Sequence, residues 1–565
     1  MPDALILTQD GQGPSGPVWG GDGGRPAPAR DEALDWLTLV RLLGWSATVA
    51  AGPPTGAAPA IAILTGRPDE HSARTLGDLR SMLRGRPRLV VAAAATAGGA
   101  WAGLAGAARR AEPIARADGA PRLAWQGPGP PAAWTVTAQV RADPLELEGD
   151  VEVWATLGGR PAIVARRVPG GSVIVTLALD VSDARAAAGP ATAVLKRLLT
   201  CGCPFPTAWV DLAGALVLRM DDPGASASVH LRSWSYAKLG EPEWDAVGAA
   251  LRLRGARLSV AYTPGWVDDG EAGRGTLEVA GAPVTREAGA VHPSPQVTYV
   301  DHDGHAPGRV DDFRAEFRGV AKLEAAGLVG VEQHGYTHMP ADLRGWSRAS
   351  DRYENVAWYR EFDTDPELPA AEHPVALGAS LLRAHFLRPP TTLVCPGQAW
   401  TDAVLEHALA AGLRLVSADG LALRDGERFC WCAGVPAVYL DKPDPAHLES
   451  ELPAIGYFHD YELAVIGLDW MSTQLDAWRE AGARRLIDFR ELAAALELRL
   501  ELAREAGGWR LESGGDRDPP LPRPLPVMLH VPGAEPPSQV ELPGGGVARV
   551  QRLGDSLGRL VLPGA

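Results

Sequence analysis

From residue 4 to about residue 200, short apolar runs without polar alternation take turns with stretches of helical spacing. Residues 5–8, 61–64 and 89–94 are such runs, and uninterrupted apolar strands mark a parallel sheet covered on both faces. Between them, Leu34, Leu37 and Leu42 form a stripe that stops at Gly44, and Leu76, Leu79 and Leu83 form another that stops before Gly85 and Pro87, as helices do. Residues 151–156, 162–166 and 173–179 read as hairpin strands turning at Gly158-Gly159 and Gly170-Gly171, followed by a helix to about Leu199. The pattern predicts an open α/β domain over residues 1–205.

A second unit is predicted over residues 206–505. Its strand runs are 215–219, 257–263, 328–332, 392–395, 413–417, 454–458 and 485–489, with helix-patterned segments between most of them. Seven strands alternating with helices predict a distorted (β/α) barrel. Residues 265–308 are a Gly/Pro-rich insertion placed to cover the barrel mouth. Over residues 506–565, runs at 527–531, 547–550 and 559–562 between glycines and prolines predict a small β-rich appendage. The expected class is therefore α/β: an open α/β domain, a distorted (β/α) barrel, and a C-terminal β appendage.

Composition narrows the function. A chain of 565 residues exceeds one ordinary core, and 46% hydrophobic with 22% charged residues is the balance of a folded globular protein. The net charge of -15 is spread along the chain, which argues against a nucleic-acid or anionic-membrane surface. The start of the chain lacks a basic segment followed by an apolar stretch, and no run of 18 apolar residues occurs, so no membrane-spanning segment is predicted and the default location is cytoplasmic. Among the five cysteines are two C-x-C pairs, Cys201/Cys203 and Cys430/Cys432. They differ from the C-x-x-C of structural zinc sites, and packed free thiols are expected ahead of a four-thiolate site or disulfides.

The chemistry lies where apolar runs stop. In a barrel the carboxyl ends of the strands converge on one mouth, so polar residues just after such runs become neighbours. Asp221 and Asp222 follow the first run, and consecutive strand residues point opposite ways, so one carboxylate can reach a metal while the other faces water; a turn or helix cap is the plain alternative for an Asp-Asp pair. His334 and His338, four apart, can meet one ion if the segment turns helically. With Asp222 they make two nitrogens and one oxygen, the donor set of a catalytic site with open positions; zinc suits it, with cobalt, nickel or manganese compatible. Asp301-His302-Asp303-Gly304-His305 is dense in ligand types but sits in the insertion and reads as a solvated loop. Tyr262, Trp266, Trp400 and Trp470 lie near strand ends, where they either stack on sugar rings or fill the core; His407 reads as a surface or packed residue, and Gly98-Gly99 as structural.

Met220-Asp221-Asp222-Pro223-Gly224, His334-Gly335-Tyr336-Thr337-His338 and Tyr457-Phe458-His459-Asp460 together resemble the NodB-like polysaccharide deacetylases, carbohydrate esterase family four, in order and spacing over about 300 residues. The resemblance implies Asp221 as general base, Asp222, His334 and His338 as holders of a divalent metal, and His459 as general acid. It also implies an acetylated amino sugar or polysaccharide as substrate. Three departures stand out. Gly335 occupies a position where the family has Ser or Thr, as in its divergent branch. Val394-Cys395-Pro396-Gly397-Gln398 lacks the family's third-motif arginine, for which Arg219 or Arg388 are substitutes. Asp419 fits the fourth motif, orienting His459, but the accompanying tryptophan is missing. The element order of residues 1–205 resembles a glutamine-amidotransferase-like accessory domain without its nucleophile, since no cysteine precedes Cys201. Two other classes remain open: a glycoside hydrolase working with two carboxylates, and a non-catalytic carbohydrate-binding or assembly protein on a degenerate deacetylase barrel.

Overall fold

A computed structural model describes residues 3–8, 19–20, 27–28, 32–50, 59–66, 68, 71, 73–96, 100–109, 121–136, 145–179, 189–339, 360–362, 369, 371–426, 428–432, 435–506, 508–513, 523–543 and 545–564. Gly98-Gly99 lies outside the described residues. The three apolar runs near the amino terminus form parallel strands: Asp3–Leu7 lies between Ser46–Ala50 and Ile61–Leu64, with Leu89–Ala93 and Val173–Leu177 continuing outward. Arg160–Arg167, Glu152–Leu157, Arg122–Trp125 and Ala132–Thr135 extend this nine-stranded sheet as antiparallel strands. The predicted helices are Glu32–Leu42, Ala73–Met82 and Pro190–Cys201.

The second sheet positions the site. Its strands are β1 (Ala215–Asp221), β2 (Leu258–Tyr262), β3 (Val329–His334), β4 (Thr392–Val394), β5 (Leu415–Ser417), β6 (Leu421–Asp425), β7 (Arg428–Cys432), β8 (Ala437–Tyr439), β9 (Ala454–His459) and β10 (Arg485–Ile487). Their order is β7-β6-β5-β4-β3-β2-β1-β9-β8, with β10 also against β1. From β8 to β5 the neighbours are parallel, and β5, β6 and β7 form an antiparallel meander at one edge. All seven predicted strand runs are present, whereas the β6–β7 hairpin and β8 were not expected. Among the described residues no strand joins β7 to β8, so the sheet is a curled half-barrel and not a closed ring.

Alternation along the strands explains both faces. Leu216, Leu218 and Met220 of β1 share a core with Leu258, Val260, Val329 and Val331 and with helices α1 (Glu241–Leu253), α2 (Phe313–Ala325) and α6 (Asp469–Glu480), through Trp244, Leu251, Val320, Leu323, Leu475 and Trp478. The remaining labelled helices are α3 (Pro374–His385), α4 (Asp402–Ala410), α5 (Asp460–Val465) and α7 (Phe489–Glu497). On the other face Val217, Ala261, Val394 and Ile455 share a core with Phe489 and Leu492 of α7, and the Phe489 N–H donates to Ser259 Oγ of β2. A helix thus packs on the face that a closed barrel would turn inward.

The insertion is folded. Gly275–Val279, Ala282–Pro283, Val297–Asp301 and Val310–Asp312 make a four-stranded sheet, and Gly265–Val267 pairs with Val291–Pro293. Near the carboxyl terminus, Leu525–His530 pairs antiparallel with Thr207–Val210 and with Leu557–Leu562, which ties the last residues back to the strand before β1. All five cysteines are buried free thiols. No helix among the described residues is long and apolar enough to cross a membrane.

Candidate metal centre

The parallel strands deliver their last residues to one edge. Asp221 and His459 are register partners at the ends of β1 and β9, and His334 pairs with Val394 at the ends of β3 and β4. Just past β1, Asp222 takes a left-handed conformation with φ 78°, as does His338 with φ 60°. Non-glycine residues pay strain for that conformation, and here both are residues singled out for metal binding.

Asp222 Oδ1 lies 3.3 Å from His334 Nε2 and 3.2 Å from His338 Nε2. The ligand atoms of Asp222, His334 and His338 all fall within 4.8 Å of one another, and the three residues are buried. His334 Nδ1 is 3.0 Å from the Val394 carbonyl, to which it donates; that fixes the tautomer and leaves the Nε2 lone pair facing Asp222. Asp222 Oδ1 is buried and accepts no hydrogen bond among the described residues. Two ring nitrogens and a carboxylate oxygen converging on one point fit a cation, and zinc or a similar divalent ion accepts this donor set. Burial works to raise the Asp222 carboxyl, but His338 and His334 hold it well below the ordinary carboxylate range. Its second oxygen accepts from Trp234 Nε1 at 3.2 Å, leaving Oδ1 for an ion.

The two histidines do not share a helix, as their spacing had suggested. His334 ends β3, and residues 335–338 form a bend without helical hydrogen bonding. The buried carboxylate of Glu361 organises that bend: it accepts from the N–H groups of Tyr336 (2.8 Å), Thr337 (3.1 Å) and His338 (3.1 Å). This accounts for Gly335. Its φ is +59°, and a Cβ there would stand 2.1 Å from Glu361 Oε2 and 2.7 Å from Pro396 Cγ. A Ser or Thr at this position has no room.

Arg219, and not Arg388, meets Asp221. Two residues apart on β1, they share a face. Arg219 Nε donates to Oδ1 at 2.9 Å and to Oδ2 at 3.1 Å, and Nη2 donates to Oδ2 at 2.6 Å. Nη1 donates to Ser417 Oγ at 3.0 Å, and the guanidinium lies over the Tyr457 ring, 4.6 Å from its centroid. Arg388 precedes β4, at the amino ends of the strands, where Arg490 donates to its carbonyl.

His459 is held by Glu462. The His459 N–H donates to Glu462 Oε2 at 2.7 Å, and Nδ1 lies 3.5 Å from Oε1. Burial opposes its charge, but Glu462 together with Asp222 and Asp221 pushes the imidazole up to about 9. Trp234 stands edge-on to the ring at 5.3 Å and stacks on Tyr461 at 4.5 Å. Asp419 is exposed on the turn after β5, where its carbonyl accepts from the Ala437 N–H.

The other expectations sort as follows. Asp301 is buried and accepts from the Gly304 and Ala306 N–H groups within its own loop, His302 is exposed, and neither joins the Asp-His-His group. Tyr262, Trp266 and Trp400 are buried, Trp470 packs on Phe458, and His407 stacks on His373. Sequence reading missed Glu361, Glu462 and Trp234. Only Glu462 carried a signal, a carboxylate three residues into a helix whose first turn follows His459.

No family model matches the chain, and no curated protein matches it. Solved structures give likenesses. A protein from Mycobacterium smegmatis assigned as a polysaccharide deacetylase aligns at 10% identity over 52% of this chain and 93% of its own, with a TM-score of 0.31. A CE4 family pseudoenzyme from Bacillus anthracis aligns at 9% identity over 50% and 66%, with a TM-score of 0.25. The 4-alpha-glucanotransferase of Thermococcus litoralis aligns at 11% over 49% and 38%, with a TM-score of 0.28. Likenesses at this level assign neither fold nor function, which must come from the residues themselves.

Proposed function

We propose that the protein is a metal-dependent hydrolase that removes acyl groups, specifically N-acetyl from an amino sugar or polysaccharide. The observation that carries this is the convergence of Asp222 Oδ1, His334 Nε2 and His338 Nε2 beside a second carboxylate, Asp221, and a histidine, His459, all at the carboxyl edge of one sheet or in the segments just past it. Asp222, His334 and His338 would hold the cation. Bound there, a divalent ion supplies Lewis-acid polarisation of the acyl carbonyl and acidifies water. Asp221 takes the proton of the attacking water, and Arg219 fixes its orientation through a two-oxygen contact. His459, charged at neutral pH, gives its proton to the departing amine, and Glu462 keeps its ring in place. Orientation of the acid is thus assigned to Glu462 in place of Asp419. Acid-base help of this kind contributes on the order of 100- to 10,000-fold.

The test is acetate release from a panel of N-acetylated sugars and oligosaccharides by protein loaded with one equivalent of Zn2+. Activity should vanish in chelator and return with the ion. Full activity in chelator sinks the proposal in favour of a glycoside-hydrolase type of chemistry, and stoichiometric cation without any acetate release favours the non-catalytic reading.

A further inference from the structure

Behind the metal-ligand loop lies a buried charge cluster with no part in the chemistry above. The Lys238 side chain is 1% exposed, and its ammonium donates to Asp460 Oδ2 at 2.5 Å and to the Asp222 carbonyl at 3.3 Å, with Glu316 Oε1 3.4 Å away. Asp460 also accepts from the Tyr236 hydroxyl through Oδ1. Glu316, on α2, accepts from the Gly224 N–H at 2.7 Å. The Tyr236 and Phe313 rings flank the ammonium at 5.1 and 5.6 Å. Of the two carboxylates facing the ammonium, Asp460 at 2.5 Å is nearer than Glu316 at 3.4 Å, which makes Lys238 and Asp460 the ion pair of the cluster.

Two observations give this cluster a purpose beyond packing. Asp460 follows His459 directly and opens α5, and the carbonyl reached by Lys238 belongs to Asp222, one of the two strained non-glycine residues of the centre. A single ammonium therefore joins the backbone that aims the metal carboxylate to the helix that carries the acid. A lone buried lysine on a carboxylate would be no cheaper than an apolar pair of the same volume, so stability does not explain it. Resting on the metal-centre reading, we infer that Lys238 is a positioning residue which, through Asp460 and the Asp222 carbonyl, holds the Asp222 loop and the His459 helix at a fixed separation.

The test reads cation binding, not turnover. Removing Lys238 alone changes the charge near the ion, and so does removing Asp460 alone; the double variant Lys238→Met/Asp460→Asn removes one charge of each sign and leaves the local sum unchanged. Affinity for Co2+ and Zn2+ by competition with a chelator, and the Co2+ absorption spectrum, are compared with wild type well below the unfolding temperature. The double variant should bind about 10- to 100-fold more weakly, with a shifted Co2+ spectrum, the range typical of losing an outer-shell partner. Tyr236→Phe, which changes no charge, should shift the same spectrum with a smaller affinity loss, and it decides alone if the double variant does not fold. Wild-type affinity and spectrum in a folded double variant, or in Tyr236→Phe where only that folds, overturn the inference. A wild-type protein that binds neither ion overturns the metal-centre reading, and this inference with it.

Discussion

Arg219 is the residue whose loss should be most informative. Its side chain is 2% exposed, contacts both oxygens of Asp221 and also reaches Ser417 Oγ, so Arg219→Met strands a carboxylate on a side chain that is itself 4% exposed. Breaking a buried pair from one side costs about 3–5 kcal/mol, because the remaining charge has no solvent and no partner. Arg219→Met/Asp221→Asn removes the stranded charge and should recover about 2 kcal/mol or more relative to the single variant. Arg219→Lys keeps a charge but offers a point in place of a fork, and a misdirected base should lower turnover by about 100-fold. Urea unfolding measures the stability order, wild type above double above Arg219→Met, while cation content should stay at the wild-type level because Asp222 is untouched. A double variant less stable than the single would refute the stranded-charge argument. A folded Arg219→Met enzyme with wild-type turnover would refute the positioning of Asp221.

Asp221→Asn should retain the cation and lose at least about 100-fold in acetate release; loss of the ion instead would mean that the two aspartates have exchanged roles. Gly335→Ser should destabilise by about 2 kcal/mol or more and weaken Zn2+ binding, since a Cβ there runs into Glu361 Oε2 in a left-handed backbone. Burial pushes His530 from its ordinary 6.5 down to about 4, so the folded chain keeps it neutral while the unfolded chain protonates below 6.5. This stability is fully present above pH 6.5 and is lost as pH falls towards 4, on the order of 3 kcal/mol in all; a His530→Leu variant should show a flatter stability profile over that window, and an unchanged slope would count against the assignment.

The strands were legible because parallel strands buried on both faces read as unbroken apolar runs, and the candidate metal ligands because they stand where those runs stop. Cys430 and Cys432 show where this failed. They lie on β7, in a hairpin whose apolar runs, residues 421–423 and 429–432, are only three and four residues long and are cut short by Arg424, Asp425 and Arg428. The helical geometry expected of His334 and His338 failed for another reason. Spacing of four is compatible with a helix, but the bend is made by a carboxylate 23 residues beyond His338, which no local pattern reveals. Lys238 was equally silent: a single lysine between Ala237 and Leu239 gives no sign that it is buried in an ion pair, because its partners Asp460 and Glu316 lie 222 and 78 residues away in sequence.

Two local couplings tie the residues of the candidate centre to their surroundings. Arg219 on β1 reaches the Asp221 carboxylate from two residues away along one strand face. The small residue at Gly335 is matched by Glu361, whose carboxylate fills the space a side chain there would need and ties down three consecutive N–H groups. Each coupling commits a buried charge to one partner geometry, so that changing one member leaves the other without its partner. The second coupling yields a pairwise check. If Gly335 and Glu361 are bound together sterically, Gly335→Ala/Glu361→Ala should fold more stably than Gly335→Ala alone, because the second change vacates the space that the first requires. If the two losses merely add, the clash is not what fixes glycine at that position.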